Sequence, residues 1–181
     1  GAHNRIAQLS AAERERGVIC ASAGNHAQGV ALSAHRLGIR AIVVMPTTTP
    51  AIKINAVRKR GGEVVLFGDG FDAARAHAAH LAEKHGYVVV HPFDDPDVIA
   101  GQGTIGMELL RQHPGPIGAI YVPIGMGSGI CGVISARDAL GLKTKIYGVV
   151  ADGAPAYAHS FEAGHVVPSN RADTMADGMA C

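Results

Sequence analysis

Continuous apolar runs and amphipathic stretches alternate along the chain, joined by short connections. Val18-Ile19-Cys20-Ala21 is uninterrupted and too short for a helix, so it predicts a strand. Residues 25–37 repeat apolar positions at helical spacing. Further strands are predicted over 41–45, 63–67, 87–90, 119–123 and 145–150. Helices are predicted over 2–9, 50–60, 71–85, 103–112, 128–140 and 154–163, the second with a proline in its first turn. Strand and helix in strict succession predict an α/β fold: parallel sheets with helices on both faces. The strands are apolar throughout rather than alternating, as strands buried on both faces should be.

His113-Pro114-Gly115-Pro116 breaks this rhythm and precedes very apolar sequence. It is the expected domain boundary, giving a smaller α/β domain over 1–112 and part of a larger one over 113–181. No charged residue occurs from Pro114 to Ala136, a length that could span a bilayer. The stretch is broken by six glycines, with Pro116 and Pro123, and reads instead as strand, loop and helix. Residues 93–97, Phe-Asp-Asp-Pro-Asp, read as an acidic loop.

Composition narrows the function class. With 48% hydrophobic and 17% charged residues the chain can bury a sizeable core. A net charge of +1, four Tyr, four Phe and no Trp leave no electrostatic or stacking footprint for nucleic acid. The three cysteines, Cys20, Cys131 and Cys181, are widely spaced, giving neither a disulfide framework nor a zinc pattern. A reducing, cytoplasmic setting is expected. His77 and His80 lie three apart on a predicted helix, but no acid or cysteine completes a ligand set, so no metal is expected.

Two loops carry candidate chemistry. Residues 22–29 read SAGNHAQG, between the first strand and a helix. The second, Gly125-Met126-Gly127-Ser128-Gly129, joins another strand to another helix. Such a loop presents backbone N–H groups at the positive end of a helix, a place for a phosphate. It lacks the Lys-Ser/Thr of a Walker loop, and the third glycine of a dinucleotide fingerprint falls on Ile130. Asp152, after the next strand, keeps a nicotinamide-dependent dehydrogenase as an alternative, as does a tight crossover that binds nothing.

The octapeptide, Val44-Met45-Pro46, Gly61-Gly62-Glu63-Val64, Val98-Ile99-Ala100-Gly101-Gln102-Gly103-Thr104 and the loop after Pro123 occur in an order and spacing that resembles the threonine/serine dehydratase family of pyridoxal-phosphate (PLP) enzymes. The resemblance implies the two-domain fold type II of PLP enzymes, incomplete here at both termini. It implies a lyase that converts a β-hydroxy amino acid to a 2-oxo acid and ammonia, and a homo-oligomer. It also implies roles. Asn25 would hydrogen-bond the cofactor's ring hydroxyl. Ser22, Ala23, Gly24, Asn25 and His26 would form the turn that holds the substrate carboxylate, and Gly125, Met126, Gly127, Ser128 and Gly129 would cup the cofactor phosphate.

Relatives carry more glycine where Met126 and Ser128 stand, so Met126 must avoid positive φ. Serine racemases of the family have a serine where this chain has Ala23, which favours elimination over racemisation. Positions that bind a divalent metal in some relatives fall near Val150 and Ala156, again predicting none, and Asp152 is out of register. Gly1-Ala2 match the last two residues of the family's F-K-x-R-G-A motif, so the Schiff-base lysine is expected upstream of Gly1. Lys53, Lys59, Lys84, Lys143 and Lys145 are no substitutes. On that expectation the segment alone is inactive, and a non-catalytic amino-acid- or PLP-binding piece is the remaining alternative.

Overall fold

The computed structural model describes residues 1–169 and 171–180. They form two compact units, Gly1–Gly101 and Gln102 onward.

The first unit is built on a parallel sheet of four strands: β1 (Val18–Ala21), β2 (Ala41–Met45), β3 (Glu63–Leu66) and β4 (Val88–Val89), in the order β3-β2-β1-β4. Register runs from Val18 opposite Ala41 to Ala21 opposite Val44, and Val18 opposite Val88 on the other side. Helices α1 (Ala2–Ala7), α2 (Ala11–Arg16), α3 (Asn25–Arg36), α4 (Ala51–Arg58) and α5 (Phe71–His85) complete it.

Period two along the strands sorts the core into two layers. Val18, Cys20, Val43 and Met45 pack with Ile6, Val30, Ala31 and Val57 of α1, α3 and α4. Ile19, Ala21, Ile42 and Val44 pack on the other face with Ala74 and Ala78 of α5. Every residue of β1 and β2 is buried, as their uninterrupted apolar runs predict. Gly62 lets α3 and α4 close over this sheet: a Cβ there would lie 2.8 Å from both Ala31 Cβ and Val57 Cγ1.

Helix α6 spans Pro96–Gln112, so the division between the units falls inside it. It starts earlier than the predicted 103. Asp95 caps it, its Oδ1 accepting from the N–H of Asp97 (2.8 Å) and Val98 (3.1 Å), with Pro96 as first helical residue. Glycines at 101, 103 and 106 dilute the helical signal of its first half. Two of them serve packing in the second unit: a Cβ on Gly103 would lie 3.1 Å from the Gly132 carbonyl oxygen, and one on Gly106 3.0 Å from Ala136 Cβ.

The second unit contains β5 (Ala119–Pro123), α7 (Ser128–Ala139), β6 (Lys145–Val149), α8 (Ala156–Ala163) and a 3₁₀ turn, Asp177–Met179. β5 and β6 pair in parallel, Ala119 opposite Lys145 to Pro123 opposite Val149. The described residues cover one face of this pair of strands. Tyr121 is 68% exposed and Tyr147 43%, their rings stacked 5.0 Å apart on one face. The opposite face meets Ile124 and Ile130, which close onto Gly148. A pair of strands with one helix layer among the described residues buries one face only. No helix among the described residues is long and apolar enough to cross a membrane.

Candidate active site

Chain order and sheet order locate the first candidate. The chain builds β1, β2 and β3 outward in one direction, then returns to lay β4 on the other side of β1. Ligands of open parallel sheets bind outside the carboxyl ends of the strands where the order reverses. Here that place lies between the carboxyl ends of β1 and β4. The turn leaving β1 is Ser22-Ala23-Gly24, followed by Asn25 as the first residue of α3.

The turn is held from within and from both neighbouring strands. Ser22 N–H donates to the Val44 carbonyl at 3.1 Å, extending the β1–β2 ladder. Ser22 Oγ accepts from Gly24 N–H at 3.2 Å, which leaves the hydroxyl proton free to donate. Gly24 is the N-cap of α3 and provides no side-chain cap. The N–H groups of Ala23, Asn25 and His26 donate to no backbone carbonyl among the described residues. They lie at the positive end of a helix and suit an oxyanion. Asn25 is exposed and can offer its amide to a ligand as donor or acceptor. His26 is different in kind: its Nε2 lies 3.0 Å from the Val90 carbonyl oxygen. Burial holds this imidazole below the ordinary histidine range, with the Val90 bond opposing and His91 adding to the depression.

The loop after β4 flanks the turn across the switch point and is organised by His91. Its Nδ1 accepts from Asp94 N–H (2.8 Å) and Phe93 N–H (3.4 Å), and its ring meets Phe93 edge to face at 4.6 Å. Arg5 of α1 pairs with Asp95 (3.2 Å) and Asp97 (3.6 Å), fixing the far end of the same loop. A sheet order read in advance would have marked this loop, but nothing local in the sequence announces the order.

In the second unit the loop 124–127 joins β5 to α7. Ile124 N–H still belongs to the sheet, donating to Val149 at 2.8 Å. Gly127 is the N-cap of α7, with φ +94° and ψ −21° and no side-chain cap. Met126 keeps a negative φ, as its side chain requires, and is 38% exposed. The strained position is thus given to glycine, and the substitutions at 126 and 128 leave the backbone N–H groups in place. The first turn of α7 closes with Cys131 N–H on the Gly127 carbonyl at 3.1 Å, so the N–H groups of 128–130 precede it. A Cβ on Gly129 would meet nothing within 4 Å. A capless helix start with open space at a glycine fits a phosphate group.

Other expected features are simpler. Asp152 lies exposed in a turn after β6. His77 stacks on Phe67, ring centroids 3.9 Å apart and 8° from parallel. No group of three or more His, Cys, Asp or Glu that could hold a metal occurs among the described residues.

A family model for pyridoxal-phosphate dependent enzymes matches residues 1–181. The chain belongs to this family. Its fold is that of the solved relatives. It superposes on the processed form of threonine deaminase isoform 2 from Solanum lycopersicum with a TM-score of 0.94, at 51% identity, covering 99% of this chain and 52% of that one. Maize serine racemase matches with a TM-score of 0.94, at 35% identity, over 99% of this chain and 54% of that one. Among curated relatives, the biosynthetic L-threonine dehydratase of Burkholderia multivorans is 51% identical over 99% of this chain and 36% of its own length. The chloroplastic biosynthetic threonine dehydratase of Arabidopsis thaliana is 51% identical over 99% of this chain and 30% of its own. The chain therefore spans about a third of these curated relatives. Membership favours pyridoxal phosphate over a nicotinamide dinucleotide as the cofactor.

Proposed function

We propose that the protein carrying this chain is a PLP-dependent dehydratase, an ammonia-lyase that converts a β-hydroxy amino acid such as threonine or serine to a 2-oxo acid and ammonia. The observation that carries the reading is the turn at the switch point: a free Ser22 hydroxyl proton, undonated N–H groups and an exposed Asn25 amide within four residues. The relatives named threonine dehydratase and threonine deaminase support it.

When bound, the cofactor's ring withdraws electrons from the amino acid's α-carbon and so makes the α-proton removable. The residues of this chain bind and orient. Ser22 Oγ–H and the N–H groups of Ala23, Asn25 and His26 hold the substrate carboxylate, through charge-assisted hydrogen bonds. The Asn25 amide holds the ring hydroxyl. Gly125, Met126, Gly127, Ser128 and Gly129 hold the phosphate through backbone N–H groups. Ala23 ends in a methyl group and cannot move a proton, which favours elimination over racemisation. The lysine that carries the cofactor and transfers the α-proton is taken from outside residues 1–181, as the family motif implies. A cytoplasmic setting and a homo-oligomer complete the proposal. Cys20 and Cys131, both free thiols, agree with a reducing compartment.

The test is direct. The purified full-length protein, supplied with PLP, should release 2-oxo acid and ammonia from L-threonine or L-serine, followed by coupled reduction of the oxo acid. Racemised amino acid without oxo acid, or NADH binding in place of PLP, would overturn the proposal.

A further inference from the structure

We propose that His26 is a positioning residue, whose side chain ties the carboxylate-holding turn to the loop across the switch point and does not itself touch substrate. The inference rests on the reading of the turn given above and concerns what keeps that turn in shape. Three residues, one of them glycine, separate β1 from α3, and the N-cap lends no side chain. Such a turn has several ways to enter a helix. Its internal bond, Ser22 Oγ with Gly24 N–H, is local and fixes no direction relative to the sheet. The His26 bond reaches Val90, 64 residues away, at 3.0 Å.

The acceptor side explains why a donor is needed. Val90 is fully buried. Its N–H donates to the Ile19 carbonyl at 2.9 Å, which registers it against β1. Its carbonyl points beyond the last ladder position and accepts from His26. Without that partner a buried carbonyl would lose its hydrogen bond, a costly state. A carbonyl only accepts, so Nε2 must carry the proton and Nδ1 is bare in the neutral ring. The Nε2 proton is thereby committed to structure. The neighbouring residue, His91, organises its own loop by accepting from Phe93 and Asp94 N–H. Two adjoining positions, Val90 and His91, thus fasten the turn on one side and the loop on the other.

The experiment compares His26→Leu and His26→Gln in the full-length protein. Leu removes the donor, and Gln offers an amide N–H at similar reach. The first readout needs neither cofactor nor substrate: amide hydrogen exchange of Ser22 and Gly24, whose N–H groups are hydrogen-bonded in the turn, with Ile42 to Val44 of the buried strand β2 as the fold control. His26→Leu should speed exchange of the turn about tenfold, the size expected when one buried hydrogen bond is lost, and leave the control protected. His26→Gln should restore most of the protection. The second readout is steady-state kinetics: KM rises with Leu and recovers with Gln, while kcat and its pH profile hold.

Unchanged exchange in His26→Leu would overturn the tether. So would a Gln variant no better than Leu, in exchange and in KM. A loss of kcat with a displaced pH profile at constant KM would make His26 an acid–base group and also overturn the proposal. Faster exchange with unaltered KM would overturn the carboxylate assignment of the turn, and with it the functional half of the proposal. If His26→Leu does not fold, His26→Gln alone decides: protection and KM close to the parent support the tether, and a loss of both overturns it.

Discussion

Gly127→Ala tests the phosphate loop through backbone geometry alone. The residue sits at φ +94° and ψ −21°, outside the small left-handed region that other residues tolerate. A Cβ added there would lie 3.8 Å from Tyr157 Cε1, an ordinary contact, so sterics with neighbours contribute nothing and the penalty is the backbone's own. A non-glycine residue held in such a region costs about 1–3 kcal/mol. The cost has two places to appear. If the loop keeps its shape, the folded protein loses that stability. If the loop relaxes, PLP must rebuild it, and the cost appears as about a 5- to 150-fold weaker affinity at 1.4 kcal/mol per tenfold. The assay is a spectrophotometric PLP titration of the full-length protein, paired with thermal unfolding of its cofactor-free form. The two losses together should reach the strain energy. An alanine variant with both the parent's affinity and the parent's melting temperature would refute the reasoning. Gly129→Ala is the counterpart. Position 129 has no positive φ and open space around it, and it lies inside the helix. Alanine there should stabilise the cofactor-free protein by about 0.5–1 kcal/mol, and weaken PLP binding only if the phosphate uses that open space.

Other expectations follow from single residues. Asn25→Ala in the full-length protein should lower kcat at least about tenfold while PLP stays bound; unchanged turnover would end the assignment of Asn25. Ile19→Ala, at a fully buried position between β1 and α5, should cost about 2–5 kcal/mol in denaturant unfolding. The Arg40 guanidinium grips Glu63 at 2.7 and 2.8 Å and holds its carboxyl below the usual range. A depressed carboxylate stabilises the fold above its unfolded pKa, and the gain is lost as pH falls through the lower folded value. Glu63→Gln should therefore cost at most about 1 kcal/mol near neutrality, since the pair is exposed and screened, and nothing in strong acid; a constant difference at every pH would contradict this. Burial pushes the Cys20 thiol up to about 12. Iodoacetamide at neutral pH should label exposed Cys131 readily and Cys20 only on unfolding, as mass spectrometry would show.

Much of this molecule is written locally. The unbroken apolar run 18–21, the helical spacing after Asn25 and the glycines around 127 are properties of neighbours in sequence. They determine that strand, turn and helix follow one another, and that each turn is rich in small residues. The capping box Ser10–Glu13, which starts α2, is equally local, with Glu13 N–H on Ser10 Oγ at 3.3 Å and Ser10 N–H on the Glu13 carboxylate at 2.8 Å. The early start of α6 was hidden by glycines, two of which, Gly103 and Gly106, allow close approach to α7, a benefit that no local propensity contains.

What only the tertiary structure decided is partnership across distance. That β4 returns to the side of β1 opposite β2 fixes the switch point, and nothing between residues 18 and 90 announces it. That His26 donates to Val90 rather than to a ligand depends on the same return. The division has one physical cause. Backbone conformation is set by forces that act within a few residues, whereas the burial of a strand face and the partner of a polar atom are set by whatever the rest of the chain brings against them.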